Sequence, residues 1–216
     1  MSERVVLFVI TMAVLIIGVT IHEFAHAFAA DRLGDDTPRR QGRVSLLPPD
    51  HLDPLGTIMM ALTAWFGFGI GWGKPVLTNP AAFRNPRRDQ GIVAAAGPLS
   101  NFVQAVIFSL VVRLAAGAMR ADGGYMSTFG HFLIAGVIIN LALAFFNLLP
   151  LKPLDGSWIV TAVLPTNLAV KYEVWMLRYG GIVFLVLIFV FRDLLSVIIG
   201  PPVRFVADLL LRGVAY

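Results

Sequence analysis

Cysteine is absent from the 216-residue sequence. Disulfides, thiolate metal sites and thiol nucleophiles are therefore excluded, and any metal must be held by nitrogen and oxygen donors. Charge is scarce as well: 14% of residues are Asp, Glu, Lys or Arg against 57% hydrophobic, a balance far from that of soluble domains. Low-complexity tracts, internal repeats and long polar insertions are missing, so residues 1–216 read as a single membrane domain with no soluble regulatory module attached. The excess of positive charge, +4 at neutral pH, sits in short loops between apolar runs. There the positive-inside effect is its ordinary cause, and no nucleic-acid role is inferred.

What the sequence does contain is long apolar runs. A helix needs about 20 apolar residues to cross hydrocarbon. Val5 to Ala30 (Glu23 excepted), Gly91 to Val112 and Phe132 to Leu151 meet that length, and Tyr179 to Phe191 meets it with its flanks. Val5–Ile21 reads as retained rather than as a signal peptide, since a cleavage site would fall among His and Glu residues. The fold class expected is an all-α polytopic membrane protein with four to six transmembrane helices and a re-entrant or short β element after the first helix. Core helices are placed at about 5–33, 91–113 and 131–164, a re-entrant or loop region at 39–90, and C-terminal helices at 173–214.

Several segments carry finer expectations. Gly34, Asp35, Asp36 and Pro38 form a stop for the first helix. Alternation in Gly42-Arg-Val-Ser-Leu46 predicts a short strand or hairpin beside the bilayer. Leu52–Trp72 is apolar but broken by Pro54, Gly56, Gly67, Gly69 and Gly71, and arginines and a lysine flank it on both sides. Both flanks then lie on the cytoplasmic side and the segment enters and leaves on that side; an ordinary spanning helix is the alternative. The Met119–Gly130 loop suits the opposite side, and Val203–Leu211 reads as an amphipathic tail on the membrane surface.

The chemistry concentrates in Thr20-Ile-His-Glu-Phe-Ala-His-Ala-Phe28. His22 and His26 are four apart, so on a helix both direct a ring nitrogen at one ion. Glu23 lies one residue further round, where a carboxylate can take a proton from water as a general base. A glutamate in mid-helix costs about 2.5–3.5 kcal/mol on insertion, a penalty that calls for a function or a compensating partner. The plain alternative is a buried polar cluster that glues helices together. A catalytic zinc needs a third protein ligand and an open position. Asp155, after Pro150 and Pro153, is the best candidate, with a helix N-cap as its ordinary role. His51 lies in a boundary loop and His131 at the start of a helix on the far side, and both are discounted. The Asn147 amide either donates to an oxyanion, worth about 3 kcal/mol in a transition state, or makes an interhelical bond.

His22-Glu-Phe-Ala-His26, Ala96-Gly-Pro-Leu-Ser-Asn101 and Asn147-x-x-Pro-x-x-Pro-Leu-Asp-Gly156, in that order within apolar helices, resemble the site-2 protease family of intramembrane zinc metalloproteases, in its compact form without PDZ or CBS domain. The resemblance implies Zn2+ held by His22, His26 and Asp155, Glu23 as base and Asn147 beside the scissile carbonyl. It also implies that the Gly67–Val76 stretch, with Gly71, Gly73, Lys74 and Pro75, binds an unwound substrate strand. The partners implied are a single-span transmembrane substrate and the lipid bilayer, in a multi-pass protein of the prokaryotic cell membrane. A metal-ion transporter using the same cluster as a transit site, and a catalytically idle scaffold, are the competing readings.

Overall fold

The computed structural model of the chain describes residues 2–67, 69–121 and 128–213. Half of the Met119–Gly130 loop, residues 122–127, and the end of the 173–214 segment therefore lie outside the described residues, as does Phe68 within the 52–72 element, while 119–121 and 128–130 are helical rather than loop. The elements are α1 (Glu3–Arg32), α2 (Thr37–Arg40), α3 (Pro48–His51), α4 (Pro54–Phe66), α5 (Pro86–Ala121), α6 (Thr128–Asn147), α7 (Asp155–Val163), α8 (Thr166–Trp175), α9 (Gly181–Phe189) and α10 (Arg192–Leu210). Among the described residues, four helical stretches are long and apolar enough to cross a membrane: Glu3–Arg32, Pro86–Ala115, Thr128–Asn147 and Thr166–Phe189. The last is α8 and α9 joined through a π-helical turn at Met176–Gly180, which supplies the flank that Tyr179–Phe191 lacked.

Helix α1 stops where the sequence placed its stop. Gly34 takes a φ of 107°, and the Asp35 N–H bonds back to Ala30 O at 3.0 Å, a glycine-terminated C-cap that only a residue free of Cβ enters cheaply. The buried Asp35 carboxylate then accepts from Thr37 N and, across the fold, from Asn79 N at 2.6 Å. Helices α1, α5 and α6 form the centre of the bundle, with α7 packed on α5. Close approach depends on small residues, as expected where lipid removes the hydrophobic drive between helices. A Cβ on Gly18 would lie 3.0 Å from Leu143 Cδ1, and one on Gly91 would lie 2.3 Å from the Ala162 Cβ.

Two expectations are corrected. Gly42–Leu46 is not a strand: Gly42 at φ 70° closes α2, and the chain turns. The tail at 203–211 is not a surface helix, because Val203, Ala207 and Leu211, four apart, form a buried stripe of α10 against Leu133, Val137 and Leu141 of α6. Amphipathicity there reflects burial in protein. Arg113 of α5 secures the end of that helix by donating from Nε to Leu210 O at 3.0 Å.

The 52–72 element is a helix with an extended return. The Asp53 carboxylate caps α4 by accepting from Gly56 N at 2.7 Å, and Gly67 at φ 74° ends it. α4 runs antiparallel to α1, finishing where Trp65 meets Phe8 edge-on and lies under the Arg4 guanidinium at 4.6 Å. The chain then comes back, and Leu52 and Gly73 form an isolated antiparallel bridge that closes the element on itself. Among the described residues no strand is longer than this bridge. The return lies so close to α4 that a Cβ on Gly56 would sit 2.1 Å from Trp72 O. Gly56→Ala is therefore expected to cost about 1–3 kcal/mol through forced displacement of backbone, read as a lowered thermal midpoint in detergent and faster proteolytic nicking of residues 67–72. An unchanged midpoint would refute the close packing.

Candidate metal centre

His22 and His26 project from one face of α1, and both are buried, 7% and 8% exposed. Each ring is anchored through Nδ1. His22 Nδ1 lies 2.7 Å from Asn101 Oδ1, and His26 Nδ1 lies 2.8 Å from Val93 O, both acceptors on α5. The amide orientation of Asn101 is set by its neighbours: its Nδ2 donates to Asn140 Oδ1 at 2.8 Å and to Gly18 O at 3.3 Å. Asn140 is fixed in turn by donating to Gly136 O at 2.9 Å. Backbone carbonyls terminate this network, so Nδ1 carries the hydrogen on both neutral rings and both Nε2 atoms present bare lone pairs.

Those two Nε2 atoms stand 3.0 Å apart. Asp155 supplies the third corner, with Oδ2 3.2 Å from His22 Nε2 and Oδ1 3.4 Å from His26 Nε2. Metal bonds of about 2.0–2.1 Å at tetrahedral angles put neighbouring ligand atoms about 3.3–3.4 Å apart, close to the 3.0 Å between the two Nε2 atoms and the 3.2 and 3.4 Å from them to the two carboxylate oxygens. Asp155 Oδ2 is also buried without a hydrogen-bond donor. Three acceptors with no hydrogen among them repel one another unless a cation lies between, so the donor set fits a divalent ion with one coordination position left open. Among the described residues this is the group of three His, Asp or Glu side chains able to share an ion.

The sequence explains how Asp155 arrives there. α6 ends at Asn147, and Pro150 and Pro153 keep the next residues out of a helix until α7 begins at Asp155. The N-cap position belongs to Leu154, without a side-chain cap bond, so the carboxylate is not used as the expected N-cap and turns to the histidines. Gly156 is required by contact: a Cβ there would lie 2.3 Å from Leu148 O and 2.4 Å from Leu149 O. α7 is carried by α5 through the Gly91–Ala162 crossing and through Arg87, which donates to Ala162 O at 3.3 Å and to Leu164 O. Gly97 completes the fit, since a Cβ on it would meet His26 Nε2 at 2.4 Å.

A cavity of about 690 Å³ opens onto this cluster, a volume in the range of ligand pockets. Glu23, Asn147, Gly71, Gly73 and Pro75 line it, while Lys74 does not. Asn147 donates one amide hydrogen to Leu143 O at 2.9 Å and keeps a second. Gly73 presses on the base candidate, for a Cβ on it would lie only 3.0 Å from Glu23 Oε1 and 2.7 Å from Val19 Cγ1. Lys74 N donates to His51 O at 2.8 Å, so Gly73 occupies the non-hydrogen-bonded position opposite Leu52 and its own N–H and C=O point away from that partner. His51 is fully buried, its Nε2 bonded to Ser45 O at 2.7 Å, and neither it nor His131 joins the metal cluster. Arg43 is 3% exposed, its guanidinium 3.7 Å from Glu23 Oε2. Burial draws the Arg43 pKa below its ordinary value, against the pull of the Glu23 and Asp50 carboxylates, and from so high a start it stays charged at neutral pH.

"Putative zinc metalloprotease YwhC" of Bacillus subtilis strain 168 is 41% identical over 174 residues, covering 80% of this chain and 77% of its own length. The chain belongs to peptidase family M50. The model for that family, described as Peptidase family M50, matches residues 118–188, which include Asn147 and Asp155. "Putative zinc metalloprotease Rip2" of Mycolicibacterium smegmatis is 29% identical over 151 residues, and the protein of the same name from Mycobacterium tuberculosis H37Rv is 30% identical over 155. The aligned segment covers 69% of this chain and 55% of either Rip2 protein. No solved structure matches the chain.

In the sequence Asn101 stands out only as part of a motif and Arg43 only as a flanking charge, and Asn140 not at all. An amide on an apolar helix was the available signal, but its partner is decided by helix packing. Outer-shell partners of metal-binding histidines are typically worth about 10–100-fold in metal affinity. Asn101→Ala is expected to lower affinity by that factor, measured by competition with a chelator, and an unaltered affinity would refute the anchoring of His22.

Proposed function

We propose that this M50 member is an intramembrane zinc endopeptidase that hydrolyses peptide bonds within transmembrane segments. The observation that carries the reading is the convergence of His22 Nε2, His26 Nε2 and the Asp155 carboxylate beside Glu23 at the wall of one cavity. In this reading His22, His26 and Asp155 hold Zn2+, the metal named in the descriptions of the YwhC and Rip2 relatives. When bound, zinc supplies Lewis-acid activation of water and of the scissile carbonyl.

The remaining work falls to the chain. The Glu23 carboxylate accepts a proton from the attacking water and returns it to the departing amine, the double role a general base plays in amide hydrolysis. The uncommitted amide hydrogen of Asn147 donates to the oxyanion, in a cavity whose low polarity strengthens such a bond. A helical substrate hides its amides, so it must be opened into an extended strand. The outward-facing N–H and C=O of Gly73, with Gly71 before it, offer that strand a backbone edge; Pro75 only lines the cavity, and Lys74 holds the edge in place through His51 O. The substrate class this favours is a single-span membrane protein.

The closed 52–73 element supports a re-entrant placement, since its two ends meet at one level and cationic residues flank both. We read the chain as a single domain crossing a prokaryotic cell membrane several times. A transit site for metal ions is disfavoured by the Nδ1 anchors, which hold both rings as resident ligands.

Glu23→Gln tests the mechanism. Cleavage of a transmembrane substrate in proteoliposomes is expected to fall by about 10²–10⁴-fold with zinc content equal to that of the unsubstituted protein. Undiminished cleavage would end the assignment of Glu23 as base.

A further inference from the structure

The Arg43 guanidinium is used by nothing in this mechanism, yet it is the cation placed against the base. Its position follows from local chain geometry. α2 closes with Gly42 N bonded to Arg39 O at 3.0 Å and Arg43 N to Pro38 O at 2.9 Å, and Gly42 sits at φ 70° between them. This paired closure of a helix end reverses the chain at Gly42. Arg39 and Arg40 of the same short helix therefore stay outside, their side chains 67% and 72% exposed and paired with Asp31 and Asp36, while the Arg43 side chain is driven inward to 3%.

Inside, one planar group meets three acceptors. Nη1 donates to Pro75 O at 3.0 Å, Nη2 donates to Lys74 O, and Nη2 lies 3.7 Å from Glu23 Oε2. In an extended strand successive carbonyls point to opposite sides. For Lys74 and Pro75 both to turn theirs onto one guanidinium, the chain must bend there, which ends the edge just past Gly73. Proline at 75 has no N–H to lose in that bend. The Glu23 contact is longer than a hydrogen bond, so the carboxylate is held by charge and keeps its lone pairs for a proton. The spacing between edge and base is already at contact, because Gly73 has no room even for a Cβ beside Glu23 Oε1.

We propose that Arg43 is a positioning residue which clamps the Lys74–Pro75 carbonyls and the Glu23 carboxylate to one rigid fork. It thereby sets the register of a substrate strand on the Gly73 edge, and with it which peptide bond lies over the base. This rests on the proteolytic reading above. A lysine would bring the charge but not the fork, since an ammonium is a point donor on a flexible stem and a guanidinium presents fixed parallel N–H groups.

The test uses the full chain in proteoliposomes with a mixed set of synthetic single-span transmembrane peptides, products read by mass spectrometry. Arg43→Lys, Arg43→Gln and Glu23→Gln are compared with the unsubstituted protein for zinc content, thermal midpoint, kcat, KM and the bonds cut. Displacement of a reacting group by about 1 Å costs on the order of 100-fold. Both Arg43 variants are therefore expected to lose at least about tenfold in kcat with zinc content unchanged, and to spread cleavage over adjacent bonds. A merely structural role would move zinc content and thermal midpoint without shifting the cut. Arg43→Lys cutting the same bonds at full rate, or Arg43→Gln within about twofold of the unsubstituted protein, overturns the clamp. Should Arg43→Gln fail to retain zinc, Arg43→Lys decides alone. An active Glu23→Gln would instead overturn the assignment of Glu23 as base, and absence of cleavage by the zinc-loaded unsubstituted protein the proteolytic reading, whereas an inactive Glu23→Gln beside intact Arg43 variants overturns only the positioning role.

Discussion

Two imidazole nitrogens with their lone pairs facing each other at 3.0 Å, and a carboxylate closing the triangle, form an arrangement that repels itself in the absence of a cation. Everything else in the bundle serves to hold it. The rings cannot turn away because each spends its only N–H on an acceptor of α5, one of them an asparagine that is itself pinned to α1 and α6. Three helices thus meet at a polar knot formed by Gly18, Asn101 and Asn140, and the cost of burying it is offset by a partner for each amide nitrogen and oxygen of Asn101 and Asn140. In surroundings without water, an unpaired member would carry its full desolvation cost.

Glycine makes the meeting possible. Gly97 leaves the space that the His22 and His26 rings occupy, Gly91 lets α7 lie against α5, and Gly156 lets the first turn of α7 rest on the carbonyls of the Leu148–Leu149 connection. Each replaces a side chain with backbone contact, which is how helices associate when lipid competes equally well for apolar surface. The same device appears around the 52–73 element, where Gly56 and Gly73 allow a non-helical segment to press on α4 and on Glu23. Irregular backbone of this kind survives at membrane depth only where protein or a water-filled cavity covers it. The 690 Å³ cavity lies along the open side of the 52–73 element.

The electrostatics are arranged in two shells about Glu23. The His22, His26 and Asp155 cluster lies on one side, and Arg43 reaches Glu23 from the loop after α2 on the other, joined to the cavity wall at Lys74 and Pro75. A buried guanidinium is expensive to desolvate, and such groups persist where they hold other groups in a defined relation. The loop, the wall and α1 are thereby connected through one side chain rather than through an extended sheet.

How much of this was legible in the sequence follows from the reach of each interaction. Local rules sufficed for the stop of α1 at Gly34, the i, i+4 pairing of His22 and His26, the break at Pro150 and Pro153, and the apolar runs that became four long helices. Periodicity misjudged 203–211, because a stripe facing lipid headgroups and a stripe facing α6 have the same spacing. It misjudged Gly42–Leu46 as well, since alternation over five residues carries no information about a left-handed glycine that turns the chain. Asn101, Asn140 and Arg43 acquired meaning only from packing. Their partners lie tens of residues away, and a hydrogen bond across that separation is specified by the crossing of helices, which no stretch of sequence contains by itself. The ligand chemistry was thus written in the order of residues, and the geometry that makes it a site was decided by how the helices met.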